Sequence, residues 1–346
     1  MSEHHTKRES LAIGSIRVRP GSHKATELPI TRLVTGAEIS LPIRVVHGKQ
    51  DGPTVWVNAA IHGDEVVGVE VIREVLASLS PKEFRGTLIA VPIVNVHGFL
   101  AGDRYLPDRR DLNRSFPGSA RGSLAGRIAH LFLREVVAKC EVGIDLHTAA
   151  DRRTNLPQVR ADLDDPRTRE LASAFAPPVM LHSEIRDGSL RHIAGERGAR
   201  VLLVESGAPL RFDDWAIDPC VAGVRRVLAA LDMIDPFEKE PPTPTVECRG
   251  SGWVRARRTG ILRLDAHLGQ QVVRGERLGA LYDSFGKTLR AVYADRDGVI
   301  IGHTEAPLVN SGDAVVHIAS IVGPPPAEPA DLVPDLTSDP TNGLLS

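Results

Sequence analysis

From Arg44 onward, short apolar runs alternate with longer amphipathic ones. Residues 54–60 (TVWVNAA) and 86–94 (GTLIAVPIV) are apolar, rich in β-branched side chains and bounded by Gly or Pro, which predicts buried strands. Between them, 65–80 carries Val69, Ile72, Val75, Leu76 and Leu79 at helical spacing. Ser123 is a candidate cap for a second helix running to about Lys139, with Leu124, Ile128, Leu131 and Phe132 on one face. Two more apolar strands are expected at 141–146 (EVGIDL) and 199–204 (ARVLLV), and helices near 166–175, 189–197 and 214–231. Strand and helix alternate, so the pattern predicts a mostly parallel sheet with helices on both faces. Residues 1–30, interrupted by Pro20, Gly21 and Pro29, predict an irregular start.

Past residue 234 the pattern changes. DPFEKEPPTPT (235–245) is proline-rich and reads as a linker. Residues 247–320 are short β-like pieces punctuated by glycine, which predicts a small all-β module. The proline-rich end, 321–346, has little to bury and is expected to be a flexible tail. The expected division is therefore a catalytic domain at 30–234, a linker at 235–246, the β module at 247–320 and the tail. A length of 346 residues fits one large unit and one small one.

The charge balance narrows the partners. A formal net charge of −2 provides no broad electrostatic hold on nucleic acid or anionic membrane. The three cysteines, Cys140, Cys220 and Cys248, are too scattered for a disulfide framework or a cysteine zinc site. The polar opening MSEHHTKRES and the lack of a long apolar run predict a cytoplasmic protein with no membrane span. A small-molecule substrate is the expected partner, and a homo-oligomer is possible.

Three groups of polar residues follow expected strands: His62 with Glu65, then His147, then Glu205. Ligands of open parallel sheets bind at the carboxyl ends of strands, so these positions point to one site. Two histidines and a glutamate form a catalytic zinc set, which leaves one coordination position for a water whose pKa falls to about 7. An isolated H-x-x-E carries little information, and the strand-end histidine of D-L-H gives it weight. Glu205, from another strand, is the candidate acid/base for that water and the leaving amine; otherwise it is a strand-end glutamate paired with an arginine. Asp145 shares a strand face with His147 and either orients it or is satisfied by backbone donors. The loop RYLPDRRDLNRSF (104–116) is dense in arginine, which suits a carboxylate or an oxyanion, although solvated surface pairs would read alike. His97, His130, His182 and His192 have no such context and are read as structural or surface groups.

H-G-D-E (62–65), D-L-N-R-S-F-P-G (111–118), D-L-H-T (145–148) and V-E-S-G (204–207), in that order, resemble the succinylglutamate desuccinylase/aspartoacylase family. The resemblance spans roughly residues 40–320. It implies a catalytic domain similar to zinc carboxypeptidases, a three-layer α/β/α fold with a mostly parallel or mixed sheet, followed by a small barrel-sandwich module. It also implies that His62, Glu65 and His147 bind one zinc ion per chain and that Glu205 is the general acid/base. Asn113 and Arg114 would hold the substrate carboxylate, and Arg104 would polarise the scissile carbonyl. Arg104 lies slightly farther from D-L-N-R than in the family's shorter loop, so Arg109 and Arg110 remain alternatives. Residues 269–279 resemble the turn of a carrier-type sandwich, but Lys287 sits in F-G-K-T, so no covalent cofactor is expected. The module is expected to shape the mouth of the site or to mediate oligomerisation.

The leading expectation is a zinc-dependent amidohydrolase cleaving an N-acyl amino acid. The alternatives are a metallocarboxypeptidase acting on small peptides and a non-catalytic docking or binding protein.

Overall fold

In the computed structural model, which describes residues 8–184, 186–236 and 244–323, the chain opens with strands where an irregular start was expected. β1 (Leu11–Ile13) and β2 (Ile16–Val18) form a small hairpin, and β3 (Ser22–Arg32) runs antiparallel to β4 (Glu38–His47). Pro29 is tolerated because β3 is an edge strand whose register shifts between Pro29 and Thr31, so no neighbour needs the missing N–H.

The next elements are β5 (Gln50–Ala59), α1 (Val67–Ala77), β6 (Arg85–Val91), α2 (Val96–Ala101), α3 (Leu124–Glu135), β7 (Val142–His147), β8 (Arg153–Ala161), α4 (Pro166–Phe175), β9 (Val179–His182), α5 (Leu190–Glu196), β10 (Arg200–Gly207) and α6 (Asp214–Ala230). Ser123 caps α3 by accepting from the Gly126 N–H, and Asp165 does the same for α4 at Thr168. β6, β5, β7 and β10 lie side by side and parallel, whereas β8 enters antiparallel to β10, so the sheet is mixed. Alternate residues feed two cores. Val55, Val57 and Ala59 of β5 join the cluster that includes Val71 of α1 and Val224 of α6, while Trp56 joins the one with Ile128 of α3 and Ile193 of α5.

Trp56 fits only because Gly143 is opposite it: an added Cβ would lie 2.0 Å from the indole ring. Gly143→Ala is therefore expected to destabilise the chain by about 1–3 kcal/mol or more through overpacking. A urea midpoint equal to wild type would contradict this.

The remaining strands are β11 (Val246–Arg255), β12 (Gly260–Leu264), β13 (Gln271–Val272), β14 (Arg277–Tyr282), β15 (Thr288–Tyr293), β16 (Gly298–Thr304), β17 (Leu308–Val309) and β18 (Ala314–Ile321). β12, β14, β15 and β17 form a sheet of their own. The others join the large sheet: β11 runs parallel to β9, and β16 pairs with both β18 and β8. β8, β9, β11, β18 and β16 therefore close into a ring, and Leu156, Val179 and Leu181 share one core with Val299, Val316 and Ile318. Of the expected linker and tail, residues 237–243 and 324–346 lie outside the described residues. No helix among the described residues is long and apolar enough to cross a membrane.

Candidate active site

The carboxyl ends of the neighbouring parallel strands β5, β7 and β10 meet at one edge of the sheet. His62 and Glu65 stand in the loop leaving β5, His147 ends β7, and Glu205 of β10 pairs directly with His147. The loop packs tightly because Gly63 lacks a side chain, since a Cβ there would lie 2.0 Å from the Gly98 backbone.

His62, Glu65 and His147 are all buried, and one ligand atom of each falls within 4.8 Å of the others. His62 Nδ1 is 2.7 Å from Glu65 Oε1, and His147 Nδ1 is 2.6 Å from Glu65 Oε2. The outward ring nitrogens face carboxylates: His62 Nε2 is 3.3 Å from Asp111 Oδ1, and His147 Nε2 is 3.0 Å from Asp145 Oδ2. Asp145 also accepts from Asn58 Nδ2 at 2.6 Å, and Asn58 Oδ1 accepts from the Trp56 indole at 2.8 Å. Burial alone would depress both histidine pKa values, but Glu65, Asp111 and Asp145 outweigh it and raise them. Burial likewise opposes ionisation of Glu65, yet the two histidines hold it below the usual carboxylate range. Two imidazoles around a buried carboxylate, each backed by a second carboxylate on its far nitrogen, form a donor set that could hold a metal ion.

His62, Glu65 and His147 line a cavity of about 720 Å³. Arg104 reaches its wall, with Nη1 3.3 Å from Glu65 Oε1 and Nη2 3.1 Å from Asp111 Oδ2. Arg109 and Arg110 are exposed outside it, and Arg110 faces Asp108. Asn113 and Arg114 also line the cavity. Asn113 Oδ1 accepts from the Leu190 N–H at 2.9 Å, while Arg114 is exposed at the rim and donates to the Asn113 carbonyl. Glu205 Oε2 accepts from Asn155 Nδ2 at 2.9 Å, and its Oε1 lies 3.8 Å from Arg160. A slightly larger cleft, about 820 Å³, lies among β11, β14 and β15 and contains none of the histidine–glutamate set.

Several residues in or behind the wall carried no signal in the sequence. Asp111 was within sight, two positions before Asn113 in D-L-N-R, but its contact with His62 needs the loop folded back. Asn155 and Arg160 belong to β8, whose mixed sequence RTNLPQVRA reads as no strand. Arg191, only 9% exposed, donates to the Ser183 and Glu184 carbonyls and, among the described residues, leaves Nη1 without a hydrogen bond in the cavity wall. His182, read as structural or surface, also lines the cavity while its Nδ1 accepts from the Leu163 N–H. Trp253 of β11 and His317 of β18 stack at 4.5 Å on the far wall, with Arg153 over the indole at 4.8 Å. Burial and nearby arginines push the His317 pKa down to about 3, so its ring is neutral at ordinary pH.

Comparison with known proteins places this geometry. N-alpha-acetyl-L-2,4-diaminobutyric acid deacetylase of Halomonas elongata is 29% identical over 314 residues, which cover 87% of this chain and 92% of that protein. A succinylglutamate desuccinylase/aspartoacylase of Rhodobacter sphaeroides superposes with a TM-score of 0.77 at 26% identity, covering 91% of this chain and 97% of that one. The product-bound ectoine utilization protein of Ruegeria pomeroyi also scores 0.77, at 25% identity, over 86% of this chain and 95% of that one. The succinylglutamate desuccinylase/aspartoacylase catalytic domain matches residues 51–231, which hold the whole histidine–glutamate set and Glu205. That span is more than half of the sequence, and the chain belongs to the succinylglutamate desuccinylase/aspartoacylase family.

Proposed function

We propose that this protein is a zinc-dependent hydrolase of the amide bond of an N-acyl amino acid, with one zinc ion per chain held by His62, Glu65 and His147. The observation that carries the reading is Glu205, a cavity-wall carboxylate on β10 paired with the His147 position. A zinc ion bound there supplies Lewis acidity and a lowered water pKa. Glu205 takes a proton from the attacking water and delivers it to the departing nitrogen. Arg104 polarises the acyl carbonyl, a role its place beside Glu65 supports over Arg109 or Arg110. Asp145 and Asp111 orient the two histidines through their outward nitrogens. We read the whole as a three-layer catalytic domain followed by a β module whose residues 250–253 and His317 wall the cavity and restrict it to small substrates. That restriction favours N-acyl amino acids over peptides, and the Halomonas relative's name puts N-acetylated diamino acids first in a screen.

The substrate carboxylate is assigned to Asn113 and Arg114. With Asn113 Oδ1 taken by Leu190, its Nδ2 donors remain for a ligand, and the Arg114 guanidinium offers a planar fork. Because Arg114 is exposed, its charge-assisted contact is expected to contribute about 1.5–3 kcal/mol, or roughly ten- to a hundredfold. Wild type is expected to prefer an N-acyl amino acid over its amide by that factor in kcat/KM, and Arg114→Ala to lose the preference. Equal discrimination by wild type and variant would remove Arg114 from this role.

A further inference from the structure

We propose that Asn155, pinned by the β16 backbone, is a positioning residue for Glu205. The inference rests on the reading of Glu205 as acid/base and adds what makes that carboxylate stay in place.

Asn155 sits where three strands meet. On one side it pairs with Gly207 of β10, and on the other with Gly302 of β16. The register between β10 and β8 shifts between Glu205 and Gly207, and such a bulge re-aims the side chains beside it. Here Asn155 Nδ2 donates to Glu205 Oε2 at 2.9 Å. Among the described residues this is the single hydrogen bond to the Glu205 side chain; Arg160, 3.8 Å from Oε1, offers charge without a hydrogen bond. One oxygen is thus fixed, while Oε1 is left to take up and give back the proton.

The amide itself is held from behind. A Cβ placed on Gly302 would come within 2.5 Å of Asn155 Oδ1 and 3.1 Å of the Thr154 carbonyl. Asn155 is buried, and its Oδ1 fills the space beside that bare backbone. The φ of Gly302 lies outside the left-handed region, so alanine there is resisted chiefly by the Asn155 amide, and less by the Thr154 carbonyl, rather than by backbone strain. The C-terminal ring strand therefore sets the acid/base geometry, although it supplies no reacting group.

The test uses the full-length, metal-loaded protein and the N-acyl amino acid it turns over best. Asn155→Ala is expected to lower kcat roughly 10- to 100-fold, the scale of a misplaced catalytic group. KM, metal content and calorimetric affinity for the amino acid product should stay within about threefold. Gly302→Ala should act in the same direction, and the double variant should be no worse than Asn155→Ala, because both changes displace the same contact. Unchanged kcat in Asn155→Ala, a loss carried by KM, or an additive double variant would overturn the proposal. If Asn155→Ala does not fold, Gly302→Ala decides alone: wild-type kcat overturns the proposal, and a kcat loss at constant KM upholds it. Full turnover by Glu205→Gln would sink the acid/base reading itself, and this inference with it. A dead Glu205→Gln beside a fully active Asn155→Ala would sink only the inference.

Discussion

Glu205→Gln is expected to keep its fold and its metal and to lose roughly 10²- to 10⁴-fold in kcat, the usual contribution of a general acid/base. The amide keeps nearly the shape of the carboxylate but cannot accept the proton of the attacking water. None of the other carboxylates around the histidine–glutamate set can stand in easily, and Glu184, which also lines the cavity, is exposed. Glu65 is enclosed by His62 and His147, Asp145 is buried between Asn58 and His147, and Asp111 is engaged by Arg104 and His62. Metal content should be unchanged, because Glu205 is outside the set whose donor atoms converge. A variant with near wild-type kcat would make Glu205 a structural partner of Asn155 and Arg160, and the base would have to be sought elsewhere.

The double variant His62→Ala, His147→Ala is expected to lose the metal, from about one zinc per chain to nearly none by elemental analysis, and turnover with it. Glu65 alone cannot replace three converging donors, since tight zinc sites take three or four protein ligands. Wild type should show a second signature. A ligand that binds only the folded state stabilises it by about 2.7 kcal/mol at a hundred times its Kd, so chelation should lower the Tm of wild type. The double variant should not respond to the chelator. It should also start from lower stability, because Glu65, 2% exposed, is left buried without its two imidazole partners. Metal retained at normal stoichiometry in the double variant would place the ion elsewhere.

The local chemistry of this chain was written in short segments. Apolar strands such as VGIDLH and RVLLVESG bring their last residues to one sheet edge because parallel neighbours all end on the same side. Period and the Ser123 cap likewise located the helix beginning at Leu124, and the pattern placed another near 166–175. His62, Glu65, His147 and Glu205 could therefore be picked out before any fold was known. Which of Arg104, Arg109 and Arg110 reaches the cavity wall, however, depends on the loop's folded path, which turns Arg104 there.

Tertiary structure decided what lies opposite and behind. Asp111 reaches His62 across 49 positions, and Asn155 reaches Glu205 across 50, separations over which local pattern has no hold. β8 is a strand despite its sequence, because β10 on one side and β16 and β9 on the other satisfy its backbone. Residues 22–29 form a strand for a related reason, as an edge strand needs pairing on one side only. Composition divided the chain near residue 246, but β11 begins there in register with β9, and backbone hydrogen bonding carries the sheet across that division. The sequence by itself singled out the candidate groups for chemistry. Long-range strand pairing, driven by the need to satisfy buried backbone and close a common core, decided how those groups are held.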